Sequence, residues 1–101
     1  MAEIRFSPDA TEDLRRAKVY IAEDLCSASA AVNTIGKIFE NIRILSAFPL
    51  SGAPLSSVTE LDIDYRFLVC GSYIAFYRYE QDTVYIIRVL YSFDLLFSAK
   101  W

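Results

Sequence analysis

The sequence predicts an α+β fold: two helices packed on one face of an antiparallel sheet, in the order βααβββ, with a short C-terminal tail or helix. Two observations carry this reading. Between Tyr65 and Tyr91, three runs rich in aromatic and β-branched residues are separated by two short turn signals, the pattern of consecutive hairpins. Before them, two longer runs repeat apolar residues every three or four positions, as helices with one buried face do.

The chain opens on Ala2–Phe6, where Ile4 and Phe6 alternate with charged Glu3 and Arg5. This predicts a short strand at a sheet edge. Ser7-Pro8-Asp9 follows. Serine suits an N-cap, proline the first helical position, and aspartate the positive end of the helix dipole. The first helix then runs to about Asp24, its apolar stripe Ala10, Leu14, Ala17, Tyr20 and Ile21. Arg15, Arg16 and Lys18 fall mostly off this stripe and read as a solvated face. After Leu25-Cys26, Ser27 caps a second helix over Ala28–Phe48. Val32, Ile35, Ile38, Phe39, Ile42 and Leu45 form its expected sheet-facing side, and Gly36 suggests close packing against the first helix. Pro49 stops the helix. Leu50–Glu60, with Gly52, Pro54 and three serines, reads as a loop, with Val58–Leu61 leading into the sheet.

The three strands are Tyr65–Cys70, Tyr73–Tyr79 and Val84–Tyr91, joined at Gly71-Ser72 and Gln81-Asp82. Two-residue turns fix register. They set Arg66 opposite Tyr77, Tyr77 opposite Ile86, and Ala75 opposite Arg88. Alternation then sorts the side chains. Phe67, Val69, Ile74, Phe76, Ile87 and Val89 form an apolar face expected under the helices. Arg66, Leu68, Cys70, Tyr73, Ala75, Tyr77, Tyr79, Ile86, Arg88 and Leu90 form an expected working face. Arg78 has core parity but lies near a strand end. In the tail Ser92–Trp101, Phe93, Leu96, Phe97 and Trp101 have helical spacing. So short a helix needs a docking surface.

At 101 residues the chain reads as a single domain, 1–101. With 54% apolar and 23% charged residues it has the material for a core. It has no run of 18 apolar residues and no signal-peptide pattern, so a cytoplasmic protein without membrane contact is expected. Cys26 and Cys70 have no metal or redox spacing and read as reduced thiols. The net charge of −3 argues against a surface that grips nucleic acid throughout.

Few residues offer chemistry. There is no histidine, hence no common base or metal ligand. Asp62 and Asp64 are the one carboxylate pair, without partners for a metal site or for paired-carboxylate catalysis. No glycine-rich phosphate loop occurs. No metal or cofactor is expected. Arg66, Arg88, Tyr73, Tyr77 and Tyr91 remain. Arginines on a sheet face can hold a phosphate bidentately, and tyrosines can stack on bases or, with help, move a proton. The alternative is structural, with Arg88 paired to Asp64 or Asp94.

The spacing of several motifs resembles a known family. Ile4 to Leu14 reads I-x-F-S-P-x-A-x-x-D-L, followed by Phe48-Pro49 with Gly52. Arg66 is followed by Val69, Gly71, Tyr73 and Phe76-Tyr77-Arg78, then by Arg88-Val89-Leu90-Tyr91. In this order they resemble toxins of the RelE/ParE superfamily, from bacterial type II toxin–antitoxin, or plasmid stabilisation, systems. The resemblance implies growth inhibition relieved by a cognate antitoxin, and a homodimer or a heterotetramer with it. RelE-like members are ribosome-dependent mRNA endonucleases, whereas ParE-like members inhibit DNA gyrase without a defined nuclease site. Under the nuclease alternative the catalytic residues are Arg66, Arg88 and Tyr91; otherwise Arg66, Tyr73, Tyr77 and Arg88 form a binding face.

The departures favour a ParE-like or attenuated toxin over an active mRNA nuclease. Tyr91 is followed by Ser92-Phe93-Asp94, where the family often has a small residue, two arginines and aspartate. No lysine lies between Lys37 and Lys100. From Ile44 onward only Arg66, Arg78, Arg88 and Lys100 face six carboxylates, and ribosomal mRNA is a dense array of phosphates. A third reading is an attenuated member that only binds antitoxin.

Overall fold

A computed structural model describes residues 1–55 and 64–92. Its elements are β1 (Glu3–Phe6), α1 (Pro8–Val19), a π-helical turn (Tyr20–Asp24), α2 (Ala28–Ala47), β2 (Ala53–Pro54), β3 (Arg66–Cys70), β4 (Tyr73–Glu80) and β5 (Thr83–Tyr91). The sheet order is β1-β5-β4-β3-β2. Both helices contribute to one core against a single face of this sheet. The α+β architecture expected from the sequence is therefore present. Val58–Leu61, Asp62 and the tail motif Phe93–Trp101 lie outside the described residues.

The helix starts follow from their caps. The Ser7 hydroxyl accepts from the Ala10 amide at 2.9 Å, and Ser27 accepts from Ala30 at 3.2 Å. Each satisfies one of the donors that a helix leaves unpaired at its start. The same Ser7 hydroxyl donates to the Ile87 carbonyl at 2.7 Å, so one side chain caps α1 and pins it to β5. The hairpin turns also meet their backbone demands. Gly71 has φ 65° in the first turn, and in the second Gln81 and Asp82 have φ 50° and 60°, the doubly left-handed geometry of a type I′ turn.

The sheet differs from expectation in three ways. It is mixed, because β1 runs parallel to β5, with Ile4 opposite Val84 and Phe6 opposite Ile86. Ala53-Pro54, expected in a loop, forms a two-residue edge strand on β3. Between β4 and β5, Tyr77 faces Ile86 as expected, but Phe76 then faces Arg88, leaving Ile87 as a bulge. Ala75 therefore faces Val89, not Arg88.

The facial assignment is reversed. The face toward the helices carries Cys70, Tyr73, Ala75, Tyr77, Val84 and Ile86, all buried. Val89 joins them because the bulge shifts parity by one residue. Phe67, Val69, Ile74 and Phe76 lie on the opposite face, where Val69 is 59% exposed. Either face is apolar enough to be a core by alternation alone. Small residues at Cys70 and Ala75 let the helices come close, and the Tyr77 hydroxyl finds partners inside. Arg78 lies on the outer side, paired with Glu80 and over the Tyr85 ring, 4.4 Å from its centroid.

In α2 the buried residues are Ala31, Ile38, Ile42 and Leu45. Val32 is 65% exposed, and Phe39 is partly exposed with its ring edge on Phe6. A Cβ on Gly36 would meet nothing within 4 Å, so this glycine is not required by a close helix contact.

Candidate functional site

The five sequence candidates separate into two places. Arg66 and Tyr77 hold the chain after α2. Tyr77 is fully buried. Its hydroxyl donates to the Pro49 carbonyl at 2.8 Å and accepts from the Gly52 amide at 2.9 Å. Arg66 Nη1 donates to the Gly52 carbonyl at 2.9 Å and more weakly to that of Leu50 at 3.4 Å. Two sheet side chains thus clamp residues 49–52. Burial pushes the Tyr77 hydroxyl above its ordinary pKa, and the Gly52 amide and Arg66 offset part of that. Tyr77, expected on an open binding face, is a core residue because its face is the one beneath the helices.

The remaining three candidates meet at the end of β5, beside α1. Beyond Phe6 and Ile86, β5 has lost β1 as a neighbour, and α1 takes over its edge. Asp13 does this chemically. Its carboxylate accepts from the Val89 amide at 3.0 Å and from Arg88 Nε and Nη2 at 2.7 and 2.9 Å. Asp13 is 9% exposed, and three donors compensate the loss of water around its charge. The bond to Asp13 holds the Arg88 guanidinium above its ordinary pKa. Where the sequence offered Asp64 or Asp94, the carboxylate that holds Arg88 comes from the first helix; Asp94 lies outside the described residues.

Next to this ion pair is a cleft of about 490 Å³, lined among others by Asp13, Arg16, Tyr20, Tyr73, Arg88 and Tyr91. The Tyr73 and Tyr91 rings lie 5.3 Å apart, tilted by 49°. Sequence reasoning had placed Tyr73 and Arg88 on one face and Tyr91 apart from it, at the end of the last strand, and the cleft brings the three together. It missed Asp13, Arg16 and Tyr20. The available signal for Asp13 was an acid directly beside Leu14 on the stripe. Arg16 gave none, since an exposed arginine in a charged helix looks like any solvated residue. Among the described residues, no group of three acidic, cysteine or histidine side chains is placed to hold a metal. The two thiols are free, Cys26 exposed and Cys70 buried, and burial pushes the Cys70 thiol up to about 11.

A family model described as the ParE toxin of the type II toxin–antitoxin system parDE matches residues 4–93. The chain belongs to the ParE toxin family. The match spans both the Ile4–Leu14 motif and the Arg88–Tyr91 strand end. Among solved structures, the chain is similar to one from the chromosomal ParDE TA system of P. aeruginosa, with a TM-score of 0.75 at 19% identity, covering 90% of this chain and 96% of that one. That likeness is one of fold. A comparison with curated proteins finds no significant match. Membership in the ParE family makes this chain a type II toxin by kind, built on two helices over a five-stranded mixed sheet. No described helix is long and apolar enough to cross a membrane.

Proposed function

We propose that this ParE-family chain is neutralised by a cognate antitoxin and, when free, acts in the cytoplasm on a protein target, DNA gyrase being the first to test, without cutting mRNA. One observation supports this over the nuclease reading: its two arginines are already committed. Arg66 is bound to the Gly52 and Leu50 carbonyls, and Arg88 is held by Asp13. They also stand two strands apart across β4, about 10 Å at ordinary strand spacing. A cleaved phosphate needs donors preplaced around one developing charge, and this pair is arranged around two separate structural tasks. The family match supports the antitoxin.

The test pairs a gyrase supercoiling assay with toeprinting of a translated mRNA, both using antitoxin-free protein. The expected result is lost supercoiling with no codon-positioned cleavage. Cleavage with normal supercoiling overturns the reading in favour of the nuclease. Silence in both assays with antitoxin binding retained identifies the attenuated alternative.

A further inference from the structure

The outward side of α2 has no role in the gyrase reading. We propose that it is a self-association surface, on which a second copy of this chain lays its own α2 antiparallel, the two helices crossing at Gly36. The macromolecular target does not enter, because the surface and its test concern the free chain alone.

Gly36 points to the surface. It lies in the middle of the 20-residue α2, exposed, on the side opposite the buried Ala31, Ile38, Ile42 and Leu45. An exposed glycine inside a helix weakens that helix relative to alanine. Among the described residues nothing in the chain demands it, since a Cβ there would meet no atom within 4 Å. The other use of glycine is to let a second backbone come close. The neighbours on the same side suit that use. Val32, one turn before Gly36, is 65% exposed, and Phe39, one turn after, is 45% exposed. Two large apolar side chains thus stand on either side of a position that has none. Knob and notch on one helix match notch and knob on an inverted copy.

The polar residues on this side fix the occupant and its direction. Ser29, Asn33, Glu40 and Arg43 are all exposed there. At about 100° per residue, Val32 and Phe39 fall on one flank of Gly36, and Asn33 and Glu40 on the other. A twofold axis between antiparallel helices sets each flank against its own kind. Val32 then meets Phe39 of the second copy, and the Asn33 amide can donate to the Glu40 carboxylate of the second copy. Further out, Arg43 can donate to the Ser29 hydroxyl of the second copy. Parallel pairing instead brings Glu40 level with Glu40 and Arg43 level with Arg43, which sets like charges near one another. The strip is therefore complementary to itself in shape and charge when inverted. At about 30 Å it is short beside a standard interface of roughly 1,600 Å², so the dimer dissociates in the micromolar range.

The experiment is sedimentation of the antitoxin-free full chain from about 1 to 500 µM, beside thermal melts at the dilute end. The variants are Gly36→Ala and Val32→Gln on the strip, with Phe48→Ser as a control at the exposed C-terminal end of α2. The expected result is a monomer when dilute and a dimer when concentrated, with nothing larger. Gly36→Ala should weaken dimerisation roughly tenfold by forcing the helices apart. The same change should raise the melting temperature of the dilute chain by about 4–8 °C, because alanine is the better helix former. A glycine needed by the fold itself would move both readouts down together. Val32→Gln should weaken the dimer severalfold without shifting the dilute melt, and Phe48→Ser should leave the dimer unchanged. A monomer at every concentration overturns the proposal, and antitoxin binding weakened by Gly36→Ala would then give the strip to the antitoxin. Dimerisation indifferent to Gly36→Ala, or lost with Phe48→Ser alone, overturns it in favour of another surface. A lower dilute melting temperature for Gly36→Ala overturns it as well.

Discussion

At the scale of single residues, two hydrogen-bonded anchors do the work that sequence reading assigned to a site. Asp13 joins α1 to β5 through Arg88 and the Val89 amide. Removing one member of such a pair strands the other without its partner. Asp13→Asn should therefore destabilise the fold by about 2–4 kcal/mol. In a cycle with Arg88→Gln, urea melts should give a coupling of about 1–3 kcal/mol. Additive losses would show that the two residues act separately. The second anchor is Tyr77 with Gly52. A Cβ on Gly52 would lie 2.5 Å from the Tyr77 hydroxyl oxygen and 2.8 Å from the Phe67 carbonyl. Gly52→Ala should cost about 2–3 kcal/mol by forcing these groups apart. Tyr77→Phe, which keeps the ring but leaves the Pro49 carbonyl and Gly52 amide unpaired, should cost about 1–3 kcal/mol. Thermal melts of the two variants check both values, and a wild-type melting temperature for Gly52→Ala would refute the close packing.

At the scale of elements, the informative cases are α2 and β5. Three-and-four spacing put Val32 and Ile38 on the same buried side of α2. The helix instead turns Ile38 fully inward and leaves Val32 in solvent. The expected stripe was wider than the sheet it meets. Ile38→Ala should then cost about 2–5 kcal/mol, whereas Val32→Gln should stay within about 0.5 kcal/mol of wild type. Equal losses in denaturant titrations would mean that Val32 is covered. In β5, one bulged residue decides what its last residues do. Ile87 is skipped by the β4 ladder, its carbonyl takes the Ser7 hydroxyl, and Val89 swings under the helices. Without β1 alongside, the Val89 amide is left to Asp13. The free edge of the strand is therefore closed by side chains of α1.

At the scale of the whole molecule, both helices cover one side of one sheet. Large apolar side chains remain exposed, including Leu25, Val32, Ile44, Phe48 and Leu50. With a net charge of only −3, little repulsion opposes self-association through such surfaces. Co-expression with the cognate antitoxin proposed above should raise the soluble yield and reduce binding of an apolar dye, read by size-exclusion chromatography and fluorescence. A free chain that is monodisperse and dye-negative would show that these residues need no partner.

The sequence by itself determined the order of the elements apart from the short β2, the two serine helix caps, both hairpin turns and most of the strand register. These depend on residues within a few positions of one another, where capping, turn geometry and alternation act directly. It also carried enough spaced motifs to indicate the family. Only the tertiary structure decided which face of the sheet is the core. Both faces are apolar, so the choice rests on whether the helices can come close over Cys70 and Ala75 and whether Tyr77 can find its two partners on residues 49–52. The bulge at Ile87, the parallel pairing of β1 with β5, and the bond from Asp13 to Arg88 join positions up to 80 residues apart. No local pattern encodes them, because each exists only once the helices and strands have packed.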